Sequence, residues 1–289
     1  MRARRYLTAY LFIAPFYVLF LIFGLGPILF SFYLGFAEWN GTGPLRWIGA
    51  QNYAGLLSDG TFVLAVENTL WLWVGHAVPM LPVALALALL LNLRWLRGRA
   101  IARAAVYLPN VTGVVPVALA FTLILDPKYG LLSFALRGVG LSGLPWLTDP
   151  TYSKWGIILF VIWRATGWYV VVFLAGLQSV DPFLYEAAMV DGAGAWSRFR
   201  HVTLPGIAPV LLFAVVIDTI GSMRAFTEPT ILTNGGPANS SLTLAMYLYA
   251  NAFEYAKFGY AAAISYAIFA ITLVAALLQL RLWQRQMGD

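Results

Sequence analysis

The 289-residue sequence contains no cysteine. That absence excludes a disulfide framework, thiolate zinc ligation, iron–sulfur clusters and a cysteine nucleophile. Histidine is nearly as scarce, and the two present, His76 and His201, stand too far apart in sequence to form a local ligand pair. Charge is short as well: Asp, Glu, Lys and Arg make up 10% of the chain, against about 25% in an average soluble domain. No Gly-Lys-Ser or Gly-Lys-Thr occurs anywhere, so there is no Walker A phosphate loop. What is present is apolar: hydrophobic residues reach 61% and aromatics 16%. This composition excludes a secreted globular domain, a disordered chain and a nucleic-acid-binding domain, and it fits a polytopic membrane protein.

A spanning helix needs about 20 apolar residues to cross a hydrocarbon core about 30 Å thick. Six runs meet that length, at about 6–36, 68–93, 104–125, 155–177, 205–223 and 258–280. The predicted fold is therefore all-α, one transmembrane domain over 1–289 with six spans. Barrel strands are excluded, because they alternate apolar and polar residues over ~10-residue segments. The first run follows Arg2, Arg4 and Arg5 as a signal peptide would. It is far longer than a signal h-region of roughly 7–15 residues and has no Ala-x-Ala-like site, so it reads as a retained helix.

Cation placement predicts orientation. With the N-terminus inside, Arg2, Arg4, Arg5, Arg94, Arg97, Arg99, Arg103, Arg198, Arg200, Arg281 and Arg285 fall on the cytoplasmic side. Only Arg46, Lys128, Arg137, Lys154, Arg224 and Lys257 fall outside, and Arg164 lies within a span. This asymmetry places both termini on the cytoplasmic side of the membrane.

The inner loop between spans four and five is the most informative segment. Asp181 is a good N-cap and Pro182 a good first helical residue, so 183–190 reads as a short helix centred on Glu186, Ala187 and Ala188. Asp191-Gly192 supplies a turn where positive φ costs little. A second short helix is expected over 195–201, basic through Arg198 and Arg200, with Thr203 capping the next helix and Pro205 in its first turn. On helical signals alone the hairpin fits either an interfacial element resting on lipid headgroups or a docking element with small residues.

Charges inside spans are costly and usually face a cavity or a partner. Arg164 lies ~14 Å into span four and Asp218 ~20 Å beyond Pro205, at 1.5 Å per residue. Asp218, Gly221, Ser222 and Ala225 share one face of span five. Two readings stay open: an Arg164–Asp218 ion pair that fixes helix packing, or side chains that hydrogen-bond a solute. Asn110, Thr112, Trp168, Tyr169, Glu228 and Tyr247 are further path candidates, whereas His76 and Glu67 read as packing or outer-rim residues. Gly138-x-Gly140-x-x-Gly143 matches a dinucleotide fingerprint, but no strand precedes it and it reads as a flexible turn.

The spacing in the inner loop is specific. Glu186-Ala187-Ala188, three residues, Gly192, nine residues, then Val202-x-Leu204-Pro205 resembles the EAA loop of permease subunits of binding-protein-dependent ABC importers, with Val202 in place of the usual isoleucine. The resemblance extends over nearly the whole chain, to the carbohydrate-uptake branch. It is carried by Trp39-Asn40-Gly41, Asn68-Thr69-Leu70, Tyr107-Leu108-Pro109, Trp146-Leu147-Thr148-Asp149-Pro150 and Leu174-Ala175-Gly176-Leu177-Gln178. The stretch Leu232-Thr233-Asn234-Gly235-Gly236-Pro237 is similar to the MalF-like rather than the MalG-like member. The resemblance implies a division of labour. A second, MalG-like permease subunit completes the path, two cytoplasmic ATPase subunits bind ATP and Mg, and an extracytoplasmic binding protein delivers a sugar. This chain then holds no cofactor, no metal and no catalytic residue. Glu186, Ala187, Ala188, Asp191, Gly192, Val202, Leu204 and Pro205 carry coupling, while Arg164, Asp218, Ser222, Glu228, Asn110, Trp168 and Tyr247 line the solute path. The competing readings are a permease for glycerol-3-phosphate, a polyamine or a peptide, a membrane enzyme using Asp218 or His76 as general acid or base, and a passive scaffold. The enzyme reading lacks a paired carboxylate or a metalloprotease motif, and the scaffold reading leaves the inner-loop pattern unexplained.

Overall fold

Backbone that crosses hydrocarbon must satisfy its own hydrogen bonds, which a helix does within each segment. In the computed structural model, which describes residues 2–93 and 95–287, helices account for nearly all regular structure. Met1, Arg94, Gly288 and Asp289 lie outside the described residues, as do the side chains of 2–9 and 285–287, so the cations read at Arg2, Arg4, Arg5, Arg94 and Arg285 are not described as side chains.

The elements run α1 (Arg2–Phe20), a π-helical turn (Leu21–Leu25), α2 (Gly26–Leu34), a two-residue strand pair β1 (Ala37–Glu38) and β2 (Arg46–Trp47), α3 (Gln51–Ser58), α4 (Gly60–Asn92), α5 (Arg99–Val111), α6 (Val114–Ile124), α7 (Leu131–Gly138) and α8 (Ser153–Ser179). They continue with α9 (Pro182–Val190), α10 (Ala195–Arg198), a second π turn (Phe199–Thr203), α11 (Leu204–Met223), α12 (Thr227–Thr233), α13 (Leu244–Tyr249), a third π turn (Ala250–Glu254) and α14 (Phe258–Met287). By length and composition five helical stretches suffice to cross a membrane, and a sixth does if α5 and α6 count as one span.

That pair corrects the unbroken helix predicted over 104–125. α5 and α6 meet at 95°, with Thr112 and Gly113 both extended. The break spares a clash, since in an unbroken helix the Pro116 ring would strike the carbonyl of Thr112 four residues back and has no N–H to give it. Restarting the helix at Val114 puts Pro116 in a first turn, where the missing donor is an orphan anyway. The first span, expected over 6–36, is one continuous helical stretch that passes through a π turn. Gly26 N–H reaches back five residues to the Leu21 carbonyl just before Pro27, and Leu204 N–H does the same to Phe199 just before Pro205. A π turn thus takes up the register that proline disturbs. Pro15, Pro79 and Pro82 sit inside unbroken helix, so proline alone does not force the turn.

The chain divides into two compact units. The first comprises Met1–Val63 and Tyr247–Ala270. Its Asn52 Nδ2 donates to the carbonyls of Gly35 and Ala37, each at 3.0 Å, and ties the β1 entrance to α3. Gly259 packs so closely on the Ala37 carbonyl that no Cβ fits. Most side chains of 10–34 are exposed, as expected of a lipid-facing helix.

The second unit comprises Leu64–Met246 and Ile271–Asp289. α8 is its axis, burying Phe160, Val170 and Phe173. Gly167 of α8 lets the α5 backbone approach, since a Cβ there would land on the Val106 carbonyl. Asn68 Nδ2 donates to the carbonyls of Asn239 (2.8 Å) and Leu242 (3.0 Å), and Gln279 Nε2 to Thr219 Oγ1 at 2.7 Å. The glycines at 138–143 begin at the last residue of α7 and follow that helix, not a strand, so a dinucleotide-binding turn is not formed.

Candidate functional site

The hairpin after span four is built by local chemistry. The Asp181 carboxylate accepts from Phe183 N–H at 2.9 Å and caps α9, with Pro182 as its first residue. At the other end Gly192 takes φ +77°, Ala193 N–H bonds the Ala188 carbonyl at 2.9 Å, and Gly192 N–H bonds Met189 at 3.1 Å. These two bonds close a Schellman motif, which needs a residue free to adopt left-handed backbone. No residue of α9 is buried, and Phe183, Leu184, Met189 and Val190 are all exposed, as is Trp196 of α10. Glu186 and Ala187 are exposed beside them. Apolar groups left in the open on so short a helix mark a contact surface.

The second arm differs from expectation. The helix predicted over 195–201 does not stop. α10 passes through the π turn 199–203, which contains Val202, straight into α11 at Leu204-Pro205. Thr203 therefore caps nothing. It is buried in helical backbone, where its hydroxyl accepts from Tyr185 at 3.1 Å, fastening α9 to this arm. One continuous rod thus runs from the hairpin to Met223.

At the far part of that rod lies a cavity of about 430 Å³ in the second unit. Asn110, Arg164, Trp168, Asp218, Ser222 and Glu228 all line it, so six of the seven predicted path residues are brought together. Asp218, Gly221 and Ser222 of the face read on span five line the cavity; Ala225 lines it too, but from the segment beyond the end of α11 at Met223. Tyr247 is the exception: it belongs to the first unit, where its hydroxyl bonds Asp59. Thr112 sits at the α5–α6 break, its hydroxyl donating to the Leu108 carbonyl at 3.0 Å.

The Arg164–Asp218 pair is not formed. Arg164 Nη1 lies 3.7 Å from Glu228 Oε1, both partly exposed to the cavity. Asp218, 6% exposed, instead meets Tyr169 and His76. Tyr169 donates its hydroxyl to Oδ1 at 2.8 Å, and His76 Nε2 lies 3.3 Å from the same oxygen. His76 Nδ1 is 2.7 Å from the Leu72 carbonyl, which only accepts, so Nδ1 carries a hydrogen. Ser222 donates to the Asp218 carbonyl at 2.7 Å and has no second proton for His76. Asp218 Oδ2 and Arg164 Nε are buried without a protein partner. Sequence reasoning assigned His76 to packing. It does pack, but its contact with Asp218 lies 142 positions away and left no local signal.

The first unit holds a second carboxylate cluster. Asp59 Oδ1 accepts from Thr61 N–H (2.9 Å) and Phe62 N–H (3.3 Å), and Oδ2 accepts from Tyr260 at 2.6 Å and from Tyr247. Partial burial alone would push this carboxyl up, but the bonds from Tyr247, Tyr260, Phe62 and Thr61 outweigh it and hold Asp59 below its usual value. Tyr247 is pushed up in turn, by burial first and then by its bond to Asp59. Among the described residues no group of three or more His, Asp or Glu is placed to hold a metal ion.

Membrane-length helices around a balanced polar cavity, with an exposed apolar hairpin between two of them, define a membrane permease component. The chain belongs to the family of inner membrane components of binding-protein-dependent transport systems, whose profile matches residues 70–287. It is a multi-pass transport subunit of an ABC importer. The lactose transport system permease protein LacF of Rhizobium radiobacter is 37% identical over 277 residues, covering 94% of this chain and 92% of LacF. The arabinooligosaccharides transport system permease protein AraP of Bacillus subtilis is 36% identical over 275 residues, covering 94% of this chain and 87% of AraP. Among solved structures, a bacterial ABC transporter involved in import of the acidic polysaccharide alginate superposes with a TM-score of 0.84 at 28% identity, covering 98% of this chain and 96% of that one.

Proposed function

We propose that this chain is the MalF-like permease subunit of a carbohydrate importer, with both termini cytoplasmic and a MalG-like subunit, two ATPase subunits and an extracytoplasmic binding protein as its partners. ATP and Mg belong to the ATPases in this reading. The observation that carries it is the continuous rod 195–223: one end is the exposed hairpin, and ~35 Å along its axis the same helix turns Asp218 and Ser222 into the cavity. A push on the hairpin is a push on the cavity wall.

The coupling role falls on Glu186, Ala187, Ala188, Asp191, Gly192, Val202, Leu204 and Pro205. The exposed Phe183, Leu184 and Met189 supply the apolar contact that docks α9 on an ATPase. In the cavity Arg164 and Arg224 face Glu228 and Asp218, so neither sign dominates. That balance, together with Asn110, Ser222 and the Trp168 ring, suits an uncharged polyhydroxylated solute better than glycerol-3-phosphate or a polyamine. The deciding experiment is reconstitution of the full complex with its binding protein and measurement of ATP hydrolysis across maltose, lactose, trehalose, glycerol-3-phosphate and spermidine. Stimulation by a sugar alone supports the reading, and stimulation by either charged solute alone refutes it. Crosslinks from cysteines placed at Ala188 or Ala193 that never reach an ATPase in the working complex would remove the coupling assignment.

A further inference from the structure

A second cavity, of about 730 Å³, lies wholly within the unit of Met1–Val63 and Tyr247–Ala270 and plays no part in the path just described. Its volume falls in the roughly 300–1,000 Å³ range of small-molecule sites. The lining alternates ring faces with uncharged hydrogen-bonding groups: Trp39 and Tyr255 beside Asn40, Thr42 and Asn251. Charge cancels across it. Glu38 Oε2 lies 3.8 Å from Arg46 Nε, Asp59 already accepts four hydrogen bonds, and Lys257 Nζ sits 6.0 Å from the Tyr255 ring centroid. An ion finds no unbalanced partner here. A neutral sugar ring does find partners, since its C–H face stacks on an aromatic ring and its hydroxyls pair with amides and hydroxyls.

The wall is also stiff before any ligand arrives. Asn40 Oδ1 accepts from Thr42 N–H at 3.1 Å, Trp39 Nε1 donates to the Gly43 carbonyl at 3.3 Å, and Asn52 and Asp59 pin the loop at both ends. Groups held in place lose little freedom on binding, which favours a weak ligand such as a sugar.

We propose that this cavity is a second carbohydrate site, on the extracytoplasmic side and separate from the Asp218 cavity, which takes one or two neutral sugar rings against Trp39 and Tyr255. The proposal rests on the reading that the chain imports a sugar, with 37–67 and 224–257 outside. Thr42→Trp fills the cavity and Tyr255→Ala removes a ring face. Both side chains are exposed, so neither change disturbs the core. The test uses the complete transporter in lipid nanodiscs, without binding protein, and saturation-transfer NMR of whichever of maltose, lactose or trehalose the wild type imports. Either variant is expected to weaken sugar binding by about threefold to tenfold, with unchanged thermal unfolding and basal ATP hydrolysis, while Asp218→Asn retains a saturation-transfer signal. Equal signals in wild type and both variants overturn the site, as does a signal lost only in Asp218→Asn. Variants that weaken capture of the sugar-loaded binding protein but not saturation transfer make the cavity a protein-docking surface and overturn it too. A wild type that imports no sugar overturns the import reading itself, whereas normal import with unaffected variants overturns this site alone.

Discussion

Asp59 and Asp218 are both gripped by tyrosine hydroxyls, yet the two sites are built for different work. Asp59 is partly open and receives four donors, two from backbone and two from tyrosines. Asp218 is almost fully buried, receives one tyrosine, stands 3.3 Å from His76 Nε2 and leaves Oδ2 unpartnered. A carboxylate with every lone pair engaged is a clamp. One that is buried and short of donors keeps hydrogen-bonding capacity at a cost in stability, and that under-satisfaction leaves the Asp218 cavity able to take a further hydrogen bond.

The largest break in this contrast is Asp218→Ala. It leaves His76 Nε2 and the Tyr169 hydroxyl without their partner in a buried site, and should cost about 3–5 kcal/mol in thermal or denaturant unfolding of the purified complex. Asp218→Asn, which keeps one acceptor oxygen, should cost only about 1–2 kcal/mol. At the clamp, Tyr247→Phe removes a bond to a charged group and should cost about 1.5–3 kcal/mol. The same pair sets a pH window. Because the folded Asp59 value is lowered, its contribution is complete above the ordinary carboxylate value near 4 and is lost as pH falls through the lower folded value. Unfolding measured between pH 7 and pH 3 should show that acid-side loss in the wild type and a smaller one in Tyr247→Phe.

A smaller effect on stability, though not on transport, is expected at the hairpin. Gly192→Val forces a β-branched residue to φ +77° and should strain the turn by about 1–2 kcal/mol. With no residue of α9 buried, the membrane helices should stay assembled while sugar-stimulated ATP hydrolysis is lost. Intact stimulation in that variant would show that the angle at Gly192 does not matter. The smallest term is the Arg164–Glu228 pair, which is partly exposed and should be worth about 0–1 kcal/mol. A double-mutant cycle should find coupling between Arg164 and Glu228 and none between Arg164 and Asp218.

The first arm of the hairpin and its turn were legible residue by residue, because their determinants are neighbours. The Asp181 cap, Pro182 and the Gly192 turn lie within twelve consecutive positions and form as read. The face of span five was legible for the same reason, since helical periodicity places Asp218 and Ser222 together wherever the helix goes. The α5–α6 break was foreshadowed by Pro116 and Gly113 but hidden by unbroken hydrophobicity, which reports solvent preference and not direction. The partner of Arg164 was not legible. Both Asp218 and Glu228 were available acids, and choosing between them requires the direction each side chain takes from its own backbone.

Composition and periodicity by themselves determined that this chain crosses a membrane in helices, that it carries no phosphate loop, and that a capped hairpin interrupts it after span four. These follow from water's exclusion of apolar surface and from hydrogen bonds between near neighbours. Only the tertiary structure decided that the hairpin and cavity wall are one rod, that His76 serves Asp218, and that Arg164 turns to Glu228. Those outcomes depend on which distant helices come within about 3 Å of one another, and in a chain of near-uniform hydrophobicity that choice is made by packing shape, not by pattern.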